Sequence, residues 1–396
     1  MSICAICREL IVESEDSKEH IIPASIGGRK TVRGFLHRKC NNRAGETWDK
    51  ELARQLQPLA LLFGVDRQRG KTPKMKVTNL EGEELLLGED GHLAIPKPLI
   101  TKPEHSGGPS YKITARSMKE AREVVTGFKQ KNPQIDVDTI LASAQTSYSP
   151  TLFRLEIEFG GEGTGRSLVK SALALVYDAG LSISLCKDAL DYLGGSAYTC
   201  FGYYFVRDLV VKRPPKIPIH CIAIEANPDT GLILGYAEYF GVHRAVLCLG
   251  RGYGGKAVRK NYSLTPMTGK ILDIDVDLQF NEADISAILE GKMDDQAART
   301  AACDAIHQTV LGKRRENQLV NKISEAFKYA WANCGATPES MLTTMDQLNF
   351  TELFVEKIFP FLTEVMGWSP QTAFSRALSF ADQILAAAGS QGQPSS

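Results

Sequence analysis

The chain has 396 residues, with 46 Lys plus Arg balanced by 46 Asp plus Glu, so its formal net charge is zero. Its 43 % apolar share is that of a globular chain, and no stretch offers the roughly 18 uninterrupted apolar residues of a membrane span. These numbers exclude a membrane-embedded chain and a wholly basic coat protein, and the length calls for two or three domains.

The first fifty residues carry the chemistry. Cys4 and Cys7 form one C-x-x-C turn, and His37 and Cys40 form a second turn of the same spacing. Ligands so spaced can share one ion, and two such turns complete a tetrahedron around zinc. The loop between them is too short to own a core, so metal is expected to help it fold. Between the pairs stand Glu19-His20-Ile21-Ile22-Pro23 and Gly27-Gly28, and Asn41 follows Cys40 directly. Phosphodiester hydrolysis needs an activated water and a cation to absorb charge. Histidine is a general base near neutral pH, and Mg²⁺ or Mn²⁺ takes oxygen ligands such as Glu19 and the Asn41 side chain. Neighbours on a strand point to opposite faces, so Glu19 and His20 reach one phosphate only where the strand ends or twists.

On these residues the segment from Cys4 to about Asp49, through CAIC, EHIIPASIGG and HRKCNNRAG, resembles the HNH, or ββα-metal, endonuclease family. The branch it is similar to has a zinc knuckle and ends its signature in Asn. The resemblance, limited to about residues 1–50, implies a β-hairpin followed by a helix with the active metal between them. It implies Glu19 and Asn41 as ligands of a catalytic Mg²⁺ or Mn²⁺, and His20 as general base. It implies Cys4, Cys7, His37 and Cys40 as ligands of a structural zinc. Glu replaces the commoner Asp, and one knuckle Cys is replaced by His, yet no needed donor is lost. Asn42 leaves a one-residue ambiguity, and Asn41 is preferred because it abuts the knuckle.

Charge patterning agrees with a nucleic-acid partner, DNA in the first instance. Arg29, Lys30, Arg33, Arg38, Lys39 and Arg43 form a run free of acidic residues, and Arg67, Arg69, Lys71, Lys74 and Lys76 form a second. Local positive charge of this kind grips phosphates whatever the net charge. Met1-Ser2-Ile3 leads into Cys4 without a signal-peptide pattern. The remaining cysteines are scattered singly in apolar contexts, which suits reduced thiols and a cytoplasmic setting.

Further along, Trp48 to Phe63 reads as a helix, with Pro58 inside it as a source of a kink. Residues 65–110 read as a basic, then Gly- and Pro-rich connector. A helix is predicted over Ser117 to Phe128, a strand over Phe153 to Phe159, and a helix over Arg166 to Asp178 that stops at Gly180. Strand-like runs follow: Tyr203 to Val206, Ile217 to Ile224, Leu232 to Phe240, Arg244 to Leu249 and Ile271 to Val276. Helices are predicted over Ala283–Leu289, Gln296–Val310, Leu319–Asn333 and Phe350–Val365, with a disordered tail over 389–396.

Gly160-Gly161-Glu162-Gly163-Thr164-Gly165-Arg166-Ser167 has phosphate-loop spacing, but Arg stands where the Lys belongs. A flexible strand-to-helix turn is the plainer reading, with Asp273 and Asp275 only loose candidates for a magnesium-holding strand. Gly250 to Lys256 likewise reads as a surface turn.

The expected architecture is therefore α+β. A nuclease unit spans 1–64, a connector 65–110, an α+β substrate or sensor domain 111–280, and a helical region 281–388. The expected function is a metal-dependent endonuclease whose larger part recognises or regulates, as in bacterial or phage defence. A small-molecule or protein regulator of that part, a homo-oligomer and no membrane partner complete the expectation. The alternative is a zinc-knuckle protein that binds nucleic acid without cleaving it.

Overall fold

The computed structural model describes residues 2–91, 93–101, 111–144, 153–155, 157–158, 160–335 and 342–390. The end of the tail expected over 389–396, and part of the strand expected over Phe153 to Phe159, lie outside the described residues. The chain folds as two compact units, neither contiguous in sequence. One comprises Met1–Pro96 and Phe153–Val310, the other Lys97–Leu152 and Leu311–Ser396. The fold is α+β.

The first unit opens on a short ribbon, β1 (Ser2–Ile3) against β2 (Leu10–Ile11). A second ribbon pairs β3 (Glu19–His20) with β4 (Thr31–Val32), in the register Glu19 to Val32 and His20 to Thr31. The loop between β3 and β4 turns at Pro23 and at Gly27, whose φ is +95°. Gly28 is obligatory there, because a Cβ would sit 1.7 Å from the Ile22 carbonyl oxygen. Helix α1 (Arg38–Ala44) passes through a π-turn at Gly45–Asp49 into α2 (Lys50–Phe63). The predicted helix from Trp48 thus begins ten residues earlier, at Arg38. Leu52, Leu56, Leu59 and Leu62 lie buried as the apolar spacing requires.

Helix α3 (Glu162–Asp178) runs through the middle of this unit, and nearly every side chain from Thr164 to Val176 is buried. Its glycines serve packing. A Cβ on Gly163 would lie 3.2 Å from the Glu51 Cβ, and one on Gly165 would lie 2.5 Å from both the Phe201 ring and the Tyr192 hydroxyl. The glycine run is a close-approach surface, as the plainer reading of it held.

An antiparallel five-stranded sheet completes the unit. Its strands are β5 (Phe201–Tyr203), β6 (His220–Asn227), β7 (Leu232–Tyr239), β8 (His243–Arg251) and β9 (Val258–Leu264), in the order β5-β8-β7-β6-β9. Alternation divides the sheet between two cores. Ile222, Ile224, Ala237 and Leu247 join the core that contains α3, α2 and the N-terminal ribbons. Cys221, Ala223, Leu234 and Val246 pack on the other face with Leu209, Leu278, Ile285 and Ile288.

Strand β9 was not predicted. It is an edge strand whose polar side chains find partners: Arg259 pairs with Glu225 at 3.0 Å and Lys260 with Asp178 at 2.7 Å. The strand predicted over Ile271 to Val276 shrinks to Asp275–Val276. In the turn after β8, Arg251 pairs with Asp188 and Glu282, so the Gly250 to Lys256 loop is an ion-paired surface turn.

The second unit holds the hairpin Leu99–Thr101 with Lys112–Thr114 and the helices Met118–Lys131 and Val137–Ala142. Ser117 caps the first of these helices by accepting from the Glu120 amide. The helices predicted over Gln296–Val310 and Leu319–Asn333 are one helix, Gln296–Asn333. Between them Lys313, Arg315, Glu316 and Gln318 are good helix formers, and Gly312 alone does not break it. Its later part packs Ala326 and Ala330 against Phe350, Phe354 and Ile358 of Thr344–Pro360 and against Ala373, Ala377 and Ala381 of Pro370–Ser390. No helix among the described residues is long and apolar enough to cross a membrane.

The packing reading of the glycine run gives a direct expectation. Gly165→Ala should destabilise the chain by about 1–3 kcal/mol, the usual cost of overpacking a filled core. Chemical denaturation would show it as a lowered midpoint. An unchanged midpoint would mean that the glycine serves something other than the helix–sheet contact.

Candidate functional site

Two sites lie within twenty residues of one another in sequence and share one short strand. The first is a knuckle. The Cys4 carbonyl accepts from Arg8 N at 3.0 Å and the Cys4 amide donates to Glu9 O at 2.8 Å, which closes the turn that carries Cys4 and Cys7. His37 directly precedes α1 and Cys40 lies in its first turn. The ligand atoms of Cys4, Cys7, His37 and Cys40 all lie within 4.8 Å of one another. A zinc tetrahedron with bonds near 2.3 Å has edges of about 3.8 Å, so the cluster fits.

Second-shell geometry fixes the histidine. His37 Nε2–H donates to the Leu10 carbonyl at 3.0 Å, which turns Nδ1 toward Cys7 Sγ at 3.1 Å. Burial and the neighbouring Cys4 push the Cys40 thiol up to about 12. A bound cation would relieve that conflict among crowded thiols. The ion would tie the first ribbon to the start of α1.

The second site is built on β3. Glu19 and His20 are neighbours on a strand and point to opposite sides. Glu19 faces inward and is 3 % exposed. It meets Lys170 of α3, which is fully buried and donates through Nζ to Glu19 Oε1 and, at 2.8 Å, to Asp49 Oδ2. Asp49 is further held by Ser167 Oγ, which donates to its Oδ1 at 2.6 Å. Burial pushes the Glu19 carboxyl up; the Lys170 charge works against this and the Asp49 charge adds to it. Burial also opposes the charge on Lys170, but Asp49 and Glu19 outweigh it and keep the ammonium protonated.

The π-turn has a part in this geometry. At about 100° per residue, eight residues of regular helix would carry Asp49 about 80° away from Asn41 around the axis. A π-turn adds the equivalent of one residue and returns Asp49 toward the Asn41 face. Asn41 donates from Nδ2 to Ser17 Oγ at 3.1 Å and to the Lys18 carbonyl at 3.0 Å. Two acceptors on one nitrogen assign the amide and leave Oδ1 as its ligand oxygen.

His20 faces outward into a cleft of about 510 Å³ lined by Lys18, Ala24, Ser25, Arg29, Thr31, Arg67, Gln68 and Arg69. Its Nε2 lies 3.2 Å from Gln68 Oε1. Burial lowers the His20 pKa, and Lys170 and Arg69 lower it further, so the ring is neutral near pH 7. Two polar atoms at this cleft, Ser25 Oγ and Arg67 Nε, are buried without a hydrogen-bond partner.

The two basic runs are dispersed by the fold. Arg29 reaches the cleft and pairs with Asp66 at 2.5 Å. Lys30 turns to Asp178 at 2.5 Å, Arg33 to Asp16 at 3.3 Å, and Arg38 donates to the Ser14 carbonyl. Lys39 and Arg43 are exposed on α1. From the second run, Arg67 and Arg69 join Arg29 in the cleft.

Hard oxygen donors suited to Mg²⁺ or Mn²⁺ are therefore present in Glu19 and Asn41. As arranged, however, the Glu19 charge is already compensated by Lys170. Lys170 and Asp49 are the site residues that motif reading overlooks. Lys170 had a signal: a lone lysine inside the apolar run Leu168 to Val176 must be buried, and a buried lysine needs a carboxylate.

The knuckle carries its own test. Purified chain should hold one zinc, and Cys40→Ala should lose it. Hydrogen exchange would then speed up in the two N-terminal ribbons. Full protection of those ribbons in a zinc-free Cys40→Ala chain would contradict the role given to the metal.

Residues 4–57 match the family model of HNH endonucleases. That span holds both ligand pairs, Glu19, His20, Asn41 and Asp49. No curated protein and no solved structure matches the chain. Sequence match and knuckle–hairpin–helix geometry together identify residues 4–57 as a segment of the HNH endonuclease family.

Proposed function

We propose that the chain is a metal-dependent HNH endonuclease that hydrolyses phosphodiester bonds of nucleic acid, DNA in the first instance. The observation that carries this reading is the His20 cleft. A histidine kept neutral by burial stands among Lys18, Arg29, Arg67 and Arg69, beside two buried polar atoms that lack partners. Phosphate oxygens would answer both the charge and the missing hydrogen bonds: Arg67 Nε–H and the Ser25 hydroxyl would donate to them.

In this reading His20 takes the proton from the attacking water, and Gln68 holds the ring through Nε2. The cationic rim holds the backbone of the substrate on either side of the scissile bond. Glu19 and Asn41 would hold a Mg²⁺ or Mn²⁺ ion, whose chemistry is to neutralise charge on the scissile phosphate. Cys4, Cys7, His37 and Cys40 would hold zinc and fix α1, and with it Asn41. The remainder of the chain would recognise substrate or a regulator in the cytoplasm, as a defence nuclease with a sensing part would require.

A second reading has an observation of its own. Lys170 closes on Glu19, so the chain could bind nucleic acid through the cationic cleft without cleaving it. Nicking of supercoiled plasmid with Mg²⁺, Mn²⁺ or chelator separates the two. Nicking that needs the divalent ion and falls at least ~100-fold in a folded His20→Ala chain supports the enzyme. Retarded plasmid that is never nicked supports the binding protein.

The pH profile follows from the same group. His20 works as a base in its neutral form, and its folded pKa lies below the ordinary value of about 6.5. Activity should therefore persist as pH falls through 6.5 and be lost only below it. An acid limb at or above 6.5 would place the titrating base elsewhere.

A further inference from the structure

The divalent-ion reading and the ion pair at Glu19 make competing demands on one carboxylate. Lys170 Nζ is wholly buried and bridges Glu19 Oε1 and Asp49 Oδ2, and Asp49 is anchored from its other oxygen by Ser167. The two carboxylates are not held alike. Asp49 is fixed by the π-turn and by the Ser167 hydroxyl, both parts of packed helices. Glu19 sits on a two-residue strand whose next residue, His20, opens to the cleft. Of the two, Glu19 is the one that can turn.

We propose that Lys170 is the resident counter-cation of Glu19, and that a divalent ion enters the site by displacing it. Lys170 then keeps Asp49, and Glu19 passes from the ammonium to the ion. No bond is made or broken beyond coordination, and no proton need move. A lysine from a helix more than a hundred residues away in sequence thereby sets the metal affinity of the HNH segment. This rests on the reading of Glu19 as a ligand of the catalytic ion.

The experiment is a titration of the zinc-loaded full chain with Mn²⁺, with free Mn²⁺ followed by electron paramagnetic resonance. Wild type is compared with Lys170→Met, Glu19→Gln and the double variant of the two. Removing a positive charge a few ångströms from the ion should tighten Mn²⁺ binding by at least ~10-fold in Lys170→Met. Adding Glu19→Gln should abolish that gain. Should Lys170→Met fail to retain zinc and fold, Asp49→Asn combined with Lys170→Met removes one charge of each sign and should tighten binding likewise. If the lysine variants bind Mn²⁺ no more tightly than wild type while Glu19→Gln weakens binding, the competition is overturned and the nuclease reading stands. If Glu19→Gln changes nothing in either background, Glu19 holds no ion, and the competition falls with its role.

Discussion

The ion pair of Lys170 with Glu19 and Asp49 is the constraint around which the first unit is organised. A lysine in the middle of an apolar helix can be tolerated only if its charge is met, and here two carboxylates from the N-terminal segment meet it. Removing one partner of such a buried arrangement typically costs about 3–5 kcal/mol, because the others are left charged in a dry interior. The pair therefore fixes α3 against β3 and against the π-turn. Apolar packing extends the same join: Trp48, Leu52 and Leu56 share a core with Leu168, Leu173 and the α3-facing side of the sheet.

That shared core changes what the zinc has to do. A knuckle, two two-residue ribbons and one helix could not by themselves bury enough surface to fold. In this chain they lean on α3 and on the sheet edge, where the Tyr262 hydroxyl accepts from the amides of Arg29 and Lys30 at 3.2 and 3.0 Å. The metal's task is narrower. It holds the first ribbon to the start of α1 and so sets where Asn41 stands.

Strand alternation then separates two kinds of chemistry. On the inner face of β3, Glu19 is dry and charge-compensated. On the outer face, His20 is neutral and surrounded by cations. Helix α3 supplies the inner cation, and the segment after α2 supplies Arg67, Gln68 and Arg69 to the outer cleft. Chemistry carried by a fifty-residue motif thus depends on residues well outside it.

Much of the site was legible in the sequence because its ligand types stand at short, characteristic spacings: the two knuckle pairs, Glu19-His20 and the glycine turn after them. The helix with its leucine stripe and most strands of the sheet were also legible, since their burial follows a simple period. Strand β9 was not, because its polar side chains are satisfied by Glu225 and Asp178 across the fold rather than by its own pattern. Asp49 was hidden for another reason. It reaches the site only through a π-turn, which no local sequence rule announces. The interleaving of the two units was equally hidden, since helix Gln296–Asn333 carries no break where one unit gives way to the other.

Anomalous diffraction from crystals of the full chain grown with zinc and soaked in Mn²⁺ would test the account most directly. The account predicts a zinc peak among Cys4, Cys7, His37 and Cys40. It also predicts a manganese peak within about 2.2 Å of oxygens of Glu19 and Asn41, with Lys170 Nζ drawn back to Asp49. Manganese bound elsewhere, with Glu19 still closed on Lys170, would contradict it.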